Sequence, residues 1–302
     1  MSNSDSIISK PIPFLRWAGG KSKIVNLLAQ LAPGEGEYNR YIEPFLGSGA
    51  LFFYLRPKSS ILADVNAHLI NCYKQVASRP MEIWRVLQDY LRKHSREYYY
   101  HVRDIGLNEG SPLERAARFI YLNKSAFNGI YRVNRSDKFN VPFGPSLSGP
   151  AIPSEARLIV VSRALANARL STASFEQTCR LATCGDFVYL DPPYPPLAKS
   201  ANFTHYTPNR FGVKDQEAVA DTFKSLDSKG CKVMLSNSDQ DHIRILYSGF
   251  RITKLEVTRW LGSNGKRFRV NEIVVTNYDP SLTYIQAPKI DSSLNKSTSG
   301  IN

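Results

Sequence analysis

The sequence predicts an α/β protein whose sheet is interrupted by a basic, partly helical insertion. Three observations predict it. Apolar runs end in acids at residues 60–64 and 186–191, as strands do at the edge of a parallel sheet. A glycine loop, Phe45-x-Gly47-x-Gly49, lies between a short strand candidate and an apolar helix candidate. Residues from about 72 to 153 have another texture, rich in Arg, Lys and aromatic side chains.

The elements follow in order. The chain of 302 residues suffices for one large domain or two smaller ones. Residues 1–10 are polar, lack the apolar core of a signal peptide, and are expected to form a flexible tail. Residues 41–43 are a strand candidate, 44–49 break it, and 50–55 read as a buried helix. A second strand at 60–63 ends at Asp64. Strand, glycine loop, helix, strand and acid, in that order, open a nucleotide-binding α/β sheet. Residues 81–93 and 113–123 have helical patterning. Residues 127–149 lose all period and accumulate Asn, Gly, Pro and Arg, which inside a compact protein is more often functional than decorative. The α/β pattern resumes after about Ser154. Residues 186–190 are an apolar strand, 214–229 a helix, and 231–238 a buried strand with a polar end. Strands at 252–261 and 268–278 flank Gly262-Ser263-Asn264-Gly265, where Asn-Gly signals a hairpin. The polar residues 281–302 are expected to be a second flexible tail. The expected division is residues 11–71 with 155–280 as one domain and 72–154 as the other.

Composition narrows the class. With 42% hydrophobic and 22% charged residues the chain is ordinary for a globular protein. No apolar run approaches the roughly 20 residues of a membrane helix, so a cytoplasmic protein without membrane contact is expected. Cys72, Cys179, Cys184 and Cys231 form no C-x-x-C pair and lie near no His cluster, so neither a metal site nor disulfides are expected. Nothing specifies an oligomer, and a monomer is the expectation. The net charge of +13 suits a polyanionic partner. Residues 71–154 hold 13 Lys/Arg against 7 Asp/Glu, interleaved with Tyr98, Tyr99, Tyr100, Tyr121, Phe127 and Tyr131. That mixture suits phosphates and bases together, and equally a solvated helical face over core aromatics.

Four segments carry chemistry. Glycines in the 45–49 loop let the backbone approach a ligand, or simply make a tight turn. Asp64, 17 residues after Gly47, can accept two ribose hydroxyls or cap the helix after it. Asp191-Pro192-Pro193-Tyr194 is more specific. Two prolines fix an extended backbone without N–H groups, presenting a carboxylate and carbonyls at the carboxyl edge of a strand. An exocyclic amine has two N–H donors, one for Asp191 and one for the Pro192 carbonyl. Its lone pair then localises and becomes nucleophilic, while Tyr194 stacks on the ring that bears it. Finally, Trp17 and Lys21, in Phe14-Leu15-Arg16-Trp17-Ala18-Gly19-Gly20-Lys21, would suit an adenosyl ring and a carboxylate.

These segments, with Asp64-x-Asn66 and Phe139-Asn140-Val141-Pro142-Phe143-Gly144, occur in an order that resembles the Dam-type DNA adenine-N6 methyltransferases of the D12 class, from about Phe14 to Tyr278. The resemblance implies a Rossmann-like methyltransferase sheet with a mainly helical target-recognition insertion, S-adenosylmethionine as cofactor, and double-stranded DNA as partner. It implies catalytic roles for Asp191, Pro192 and Tyr194. It implies cofactor contacts from Trp17, Ala18, Gly19, Lys21, Glu43, Phe45, Gly47, Gly49, Asp64, Phe175 and Asp191. Ser174 replaces the acid that the family usually has before Phe175. It implies DNA contacts from Arg16, Phe127, Asn128, Ile130 and Arg132, with Arg132 on a guanine, Phe127 wedged in the stack, and GATC as the site. The implied reaction is direct transfer to an adenine flipped out of the duplex. No cysteine follows a proline, as a cytosine-C5 nucleophile would. Three other readings remain open: a cytosine-N4 enzyme, which more often has Ser in place of Asp191; an RNA or protein-glutamine methyltransferase; and a DNA-binding module without catalysis.

Overall fold

The computed structural model describes residues 10–134, 136, 138–144, 149–195, 211–261 and 266–280. Apart from Lys10, the two expected tails lie outside these residues, as does the expected hairpin turn at 262–265. Among the described residues seven strands form one sheet. They are β1 (Tyr41–Glu43), β2 (Ser60–Asp64), β3 (Ala168–Thr172), β4 (Phe187–Leu190), β5 (Lys232–Ser238), β6 (Arg251–Leu261) and β7 (Lys266–Thr276), in the order β3-β2-β1-β4-β5-β7-β6. The first five of that order are parallel. β7 runs antiparallel between β5 and β6.

The central strands are apolar because both faces of the sheet are covered. Tyr41, Leu62, Phe187, Tyr189, Met234 and Val274 point to one core. Their neighbours Ile42, Ile61, Val188, Leu190, Leu235 and Ile273 point to the other, as the two-residue period of a strand requires. The first core is closed by α1 (Val25–Leu31), α2 (Ala50–Leu55), α3 (Ala67–Ser78), α4 (Pro80–Arg92), α5 (Arg96–Ile105), α6 (Pro112–Ser125) and α7 (Glu155–Leu165). The second is closed by α8 (Phe175–Cys179), α9 (Val213–Ser228) and α10 (Asp241–Leu246). Helix starts follow capping chemistry: Asn66, Ser95, Ser111, Ser154 and Ser174 each accept a backbone N–H of the first turn. Among the described residues no helix is long and apolar enough to cross a membrane.

Several elements differ from the expectation. α3 runs across position 71/72, where the sequence divides the chain, and its Leu69, Tyr73 and Val76 share one core with Ile83, Leu87, Tyr121 and Tyr131. β3 has no apolar run; it is an edge strand with a half-exposed side-chain pattern. The last strand stops at Thr276 rather than 278, because the Asn277 side chain takes over the ladder and accepts the Val233 N–H at 2.7 Å. The hairpin holds: β6 and β7 pair from Arg251 opposite Thr276 to Leu261 opposite Lys266.

The glycine loop is a packing device as well as a turn. Gly47 has φ +46°, and a Cβ there would lie 2.8 Å from Trp17 Cδ1. Its carbonyl accepts the Tyr73 hydroxyl at 3.0 Å, which pins the loop to α3. Gly47→Ala is therefore expected to lower unfolding stability by about 1–3 kcal/mol, read as an earlier urea midpoint at unchanged slope. A midpoint like that of the unaltered protein would mean that loop and indole part freely.

Candidate active site

Strand order brings the acids together. β2, β1 and β4 are adjacent, and Asp64, Glu43 and Asp191 stand at their carboxyl ends. Successive strands are laid to one side of β1 as far as β3 and to its other side from β4 onward, and this switch between β1 and β4 is where open α/β sheets have their crevice. Glu43 is buried and its Oε2 accepts the Tyr41 hydroxyl at 2.9 Å. Burial pushes the Glu43 carboxyl well above the usual carboxylate range; the Tyr41 bond opposes this, and the charges of Asp191 and Asp64 add to it.

Asp64 is held by two backbone donors, Gly47 N–H at 3.0 Å on Oδ2 and Asn66 N–H at 2.9 Å on Oδ1. Burial raises its pKa and these two bonds draw it down. It does not cap α3, because Asn66 does so by accepting the Leu69 N–H at 2.9 Å. The choice left open by the sequence is thus resolved against a capping role for Asp64.

The N-terminal segment supplies a cation. Lys21 Nζ donates to the Gly19 carbonyl at 2.7 Å and pairs with both oxygens of Asp191, at 2.7 and 2.8 Å. The pair is largely buried, with 6% of the Lys21 side chain and 17% of that of Asp191 exposed. The same ammonium lies 4.6 Å from the centre of the Tyr194 ring. Gly20 N–H closes a turn on the Trp17 carbonyl, and Ala18 and Gly19 within it are exposed. Gly49, with φ +64°, starts α2.

The second face contributes an aromatic wall. Phe175 stacks on Phe45 at 5.3 Å, and Phe211 meets Phe45 edge-on at 6.1 Å. Ser174 is engaged in a capping box with Gln177. Phe211 escapes sequence reasoning because no motif surrounds it.

The tetrapeptide is braced from beneath by residues that sequence reasoning also missed. Gln216 Nε2 donates to the Pro193 carbonyl at 2.8 Å. Gln216 Oε1 in turn accepts Asn237 Nδ2 at 2.9 Å, and Asn237 Oδ1 accepts Ser238 N–H at 2.8 Å. Gln240 Nε2 reaches the Pro195 carbonyl at 3.2 Å, and the Tyr194 hydroxyl donates to Glu272 Oε2 at 2.9 Å. The one signal in the sequence was the polar end of the strand, Ser236-Asn237-Ser238.

The residues expected to touch DNA gather around one loop, apart from the acids. Asn123, buried, accepts the Arg16 N–H at 2.9 Å and donates to the Arg16 and Gly129 carbonyls at 2.8 and 3.2 Å. This seats Arg16 against Gly129. Phe127 is an exposed aromatic and Asn128 is exposed with φ 55°. Ile130 packs half-buried on the first core. Arg132 is exposed; its Nε donates to Asn140 Oδ1 at 2.7 Å and its Nη2 to the Asn140 carbonyl at 3.2 Å. Between Ile130 and Arg132, Tyr131 turns inward and stacks on Trp17 at 5.3 Å. Among the described residues no group of three or more His, Cys, Asp or Glu could hold a metal ion.

The model of the D12 class N6 adenine-specific DNA methyltransferases matches residues 17–261. The Type II methyltransferase M1.LlaDCHI of Lactococcus lactis subsp. cremoris is 41% identical over 273 residues, 88% of this chain and 95% of its own. The Type II methyltransferase M.MjaIII of Methanocaldococcus jannaschii is 38% identical over 286 residues, 88% of this chain and 99% of its own. The DNA adenine methylase of Escherichia coli (strain K12) is 34% identical over 272 residues, 89% of this chain and 96% of its own. The family match decides for adenine N6 in DNA over cytosine N4, RNA and protein glutamine, and for an enzyme over a binding module. The chain belongs to the D12 class of N6 adenine-specific DNA methyltransferases.

Proposed function

We propose that this adenine-N6 DNA methyltransferase takes its methyl group from S-adenosylmethionine, acts within GATC, and carries out transfer at Asp191-Pro192-Pro193-Tyr194. The observation that carries the reading is the Lys21–Asp191–Tyr194 cluster at the end of β4, beside Asp64 and the Phe45–Phe175–Phe211 wall. Bound S-adenosylmethionine supplies an electrophilic methyl group. The residues present fit it. Asp64, oriented by Gly47 and Asn66, suits ribose hydroxyls, the aromatic wall suits an adenine ring, and Lys21 suits a carboxylate. Trp17, Glu43, Gly47 and Gly49 shape the floor of the same crevice, and Ala18 and Gly19 its mouth.

The chain's own residues then act on the base. Asp191 accepts one N–H of the exocyclic amine and the Pro192 carbonyl accepts the other. A carboxylate offers about four acceptor sites, so pairing with Lys21 leaves room for the amine. Tyr194 supplies a ring face for the extruded base. Residues 72–154 act as the recognition part. Exposed Phe127 enters the stack, Asn128 and Ile130 line the loop, Arg16 approaches an outer base pair, and Arg132, steadied by Asn140, reads guanine O6 and N7. The GATC assignment is supported by the resemblance of this loop and by relatives named DNA adenine methylase.

Asp191→Ala is expected to lower tritiated-methyl transfer to adenine-containing duplexes by about 100-fold or more; undiminished transfer would remove Asp191 from the mechanism. Arg132→Ala is expected to lose about 1–3 kcal/mol of discrimination at one guanine, measured by methylation of single-substituted sites. An unchanged preference would overturn that assignment. Burial, with Arg16 and Arg157 adding to it, pushes the Lys124 ammonium down to about 8. Lys124 follows Asn123, which seats Arg16, and it feels the Arg16 charge, so it stands beside the residues proposed to meet DNA. DNA phosphates favour the charged form, so affinity attributable to Lys124 is complete below that value and lost as pH rises above it. Duplex retention should therefore weaken as pH rises above about 8, and Lys124→Arg should abolish the decline. A decline as steep in that variant would assign it to another group.

A further inference from the structure

Glu272 is 2% exposed and lies on β7 opposite Ser238, the last residue of β5, at the same sheet edge as Asp191. A buried carboxylate is costly unless bonded, and the transfer chemistry above makes no use of this one. Its Oε2 accepts the Tyr194 hydroxyl at 2.9 Å. Burial raises the Tyr194 hydroxyl pKa well above the ordinary value, with Asp191 and Glu272 adding to it, so the hydroxyl remains a donor.

The tyrosine is constrained at three points. Its hydroxyl is tethered to Glu272, the Lys21 ammonium lies 4.6 Å from its ring centre, and the carbonyl before it accepts from Gln216 at 2.8 Å. A tyrosine ring has two side-chain torsions. With the far end of the ring bonded and the near end set by the backbone, neither turns freely.

We propose that Glu272 is a positioning residue: by holding the Tyr194 hydroxyl it sets the ring plane on which the extruded adenine stacks. The proposal rests on the reading that Tyr194 stacks on that base. Its chemistry demands an acceptor at 272, not a charge. Glu272→Gln keeps an acceptor oxygen and Glu272→Leu does not. Tyr194→Phe removes the tether from the other side and keeps the ring.

The experiment combines steady-state kinetics of the full chain with fluorescence of a duplex carrying 2-aminopurine at the adenine that is methylated. Glu272→Leu and Tyr194→Phe both keep the ring and lose its orientation, so each should lower kcat by about tenfold, within what stacking on one ring is worth. Both should leave KM for S-adenosylmethionine unchanged and shift the 2-aminopurine emission of the complex in the same direction. Glu272→Gln should restore kcat and emission. The double variant should lose no more than either single one, as two ends of one bond require. Unaltered kcat and emission in Tyr194→Phe would overturn the proposal even if Glu272→Leu failed to fold. Additive losses in the double variant would overturn it, as would a Glu272→Leu defect that Tyr194→Phe does not share. Absence of adenine methylation by the unaltered protein would instead fell the proposed function itself.

Discussion

The Lys21–Asp191 pair joins chain segments 170 residues apart, and the arrangement of the site follows from that contact. Both partners are largely withdrawn from water. Removing one partner of such a pair leaves a charge uncompensated, which typically costs about 3–5 kcal/mol. The N-terminal segment is therefore held to the sheet edge by electrostatics as well as by Phe14 and Leu15 in the core. With Lys21 in place, Trp17 falls against Gly47 on one side and Tyr131 on the other. The glycine loop, the N-terminal turn and the loop of residues 127–132 thereby share one indole.

That sharing packs three separate chain segments against one side chain. Residues 72–154 and the first sheet face bury side chains in a single core. Asn123 bonds both Arg16 and Gly129, so a residue from the N-terminal segment and the loop that carries Arg132 are tied to one side chain. Close-packed interiors transmit small displacements rather than absorbing them. Tyr131 of the loop touches Trp17, and Trp17 touches the loop at Gly47 that orients Asp64.

Much of the fold was legible. Parallel strands covered on both faces leave continuous apolar runs, which is why residues 60–64 and 187–190 could be read directly. An edge strand half open to solvent leaves none, which is why Ala168–Thr172 was not. α3 hides its membership in the first core because its sequence says only that one helical face is apolar, not what covers it.

The site divides in the same way. The sequence by itself determined the local parts: the extended Asp-Pro-Pro-Tyr segment at a strand end, the glycine loop between strand and helix, and the aperiodic segment that holds Phe127 to Arg132. Their chemistry is set by residues adjacent in the chain and by backbone restrictions that proline and glycine impose wherever they stand. Only the tertiary structure decided that Asp64 is oriented by Gly47, that Asn66 rather than Asp64 caps α3, that Phe211 joins Phe45 and Phe175, and that Gln216, Asn237 and Glu272 brace the tetrapeptide. Those are hydrogen bonds and ring contacts between distant segments. A buried polar side chain shows its purpose only when its partner is known, and strand order, not chain order, chooses the partner.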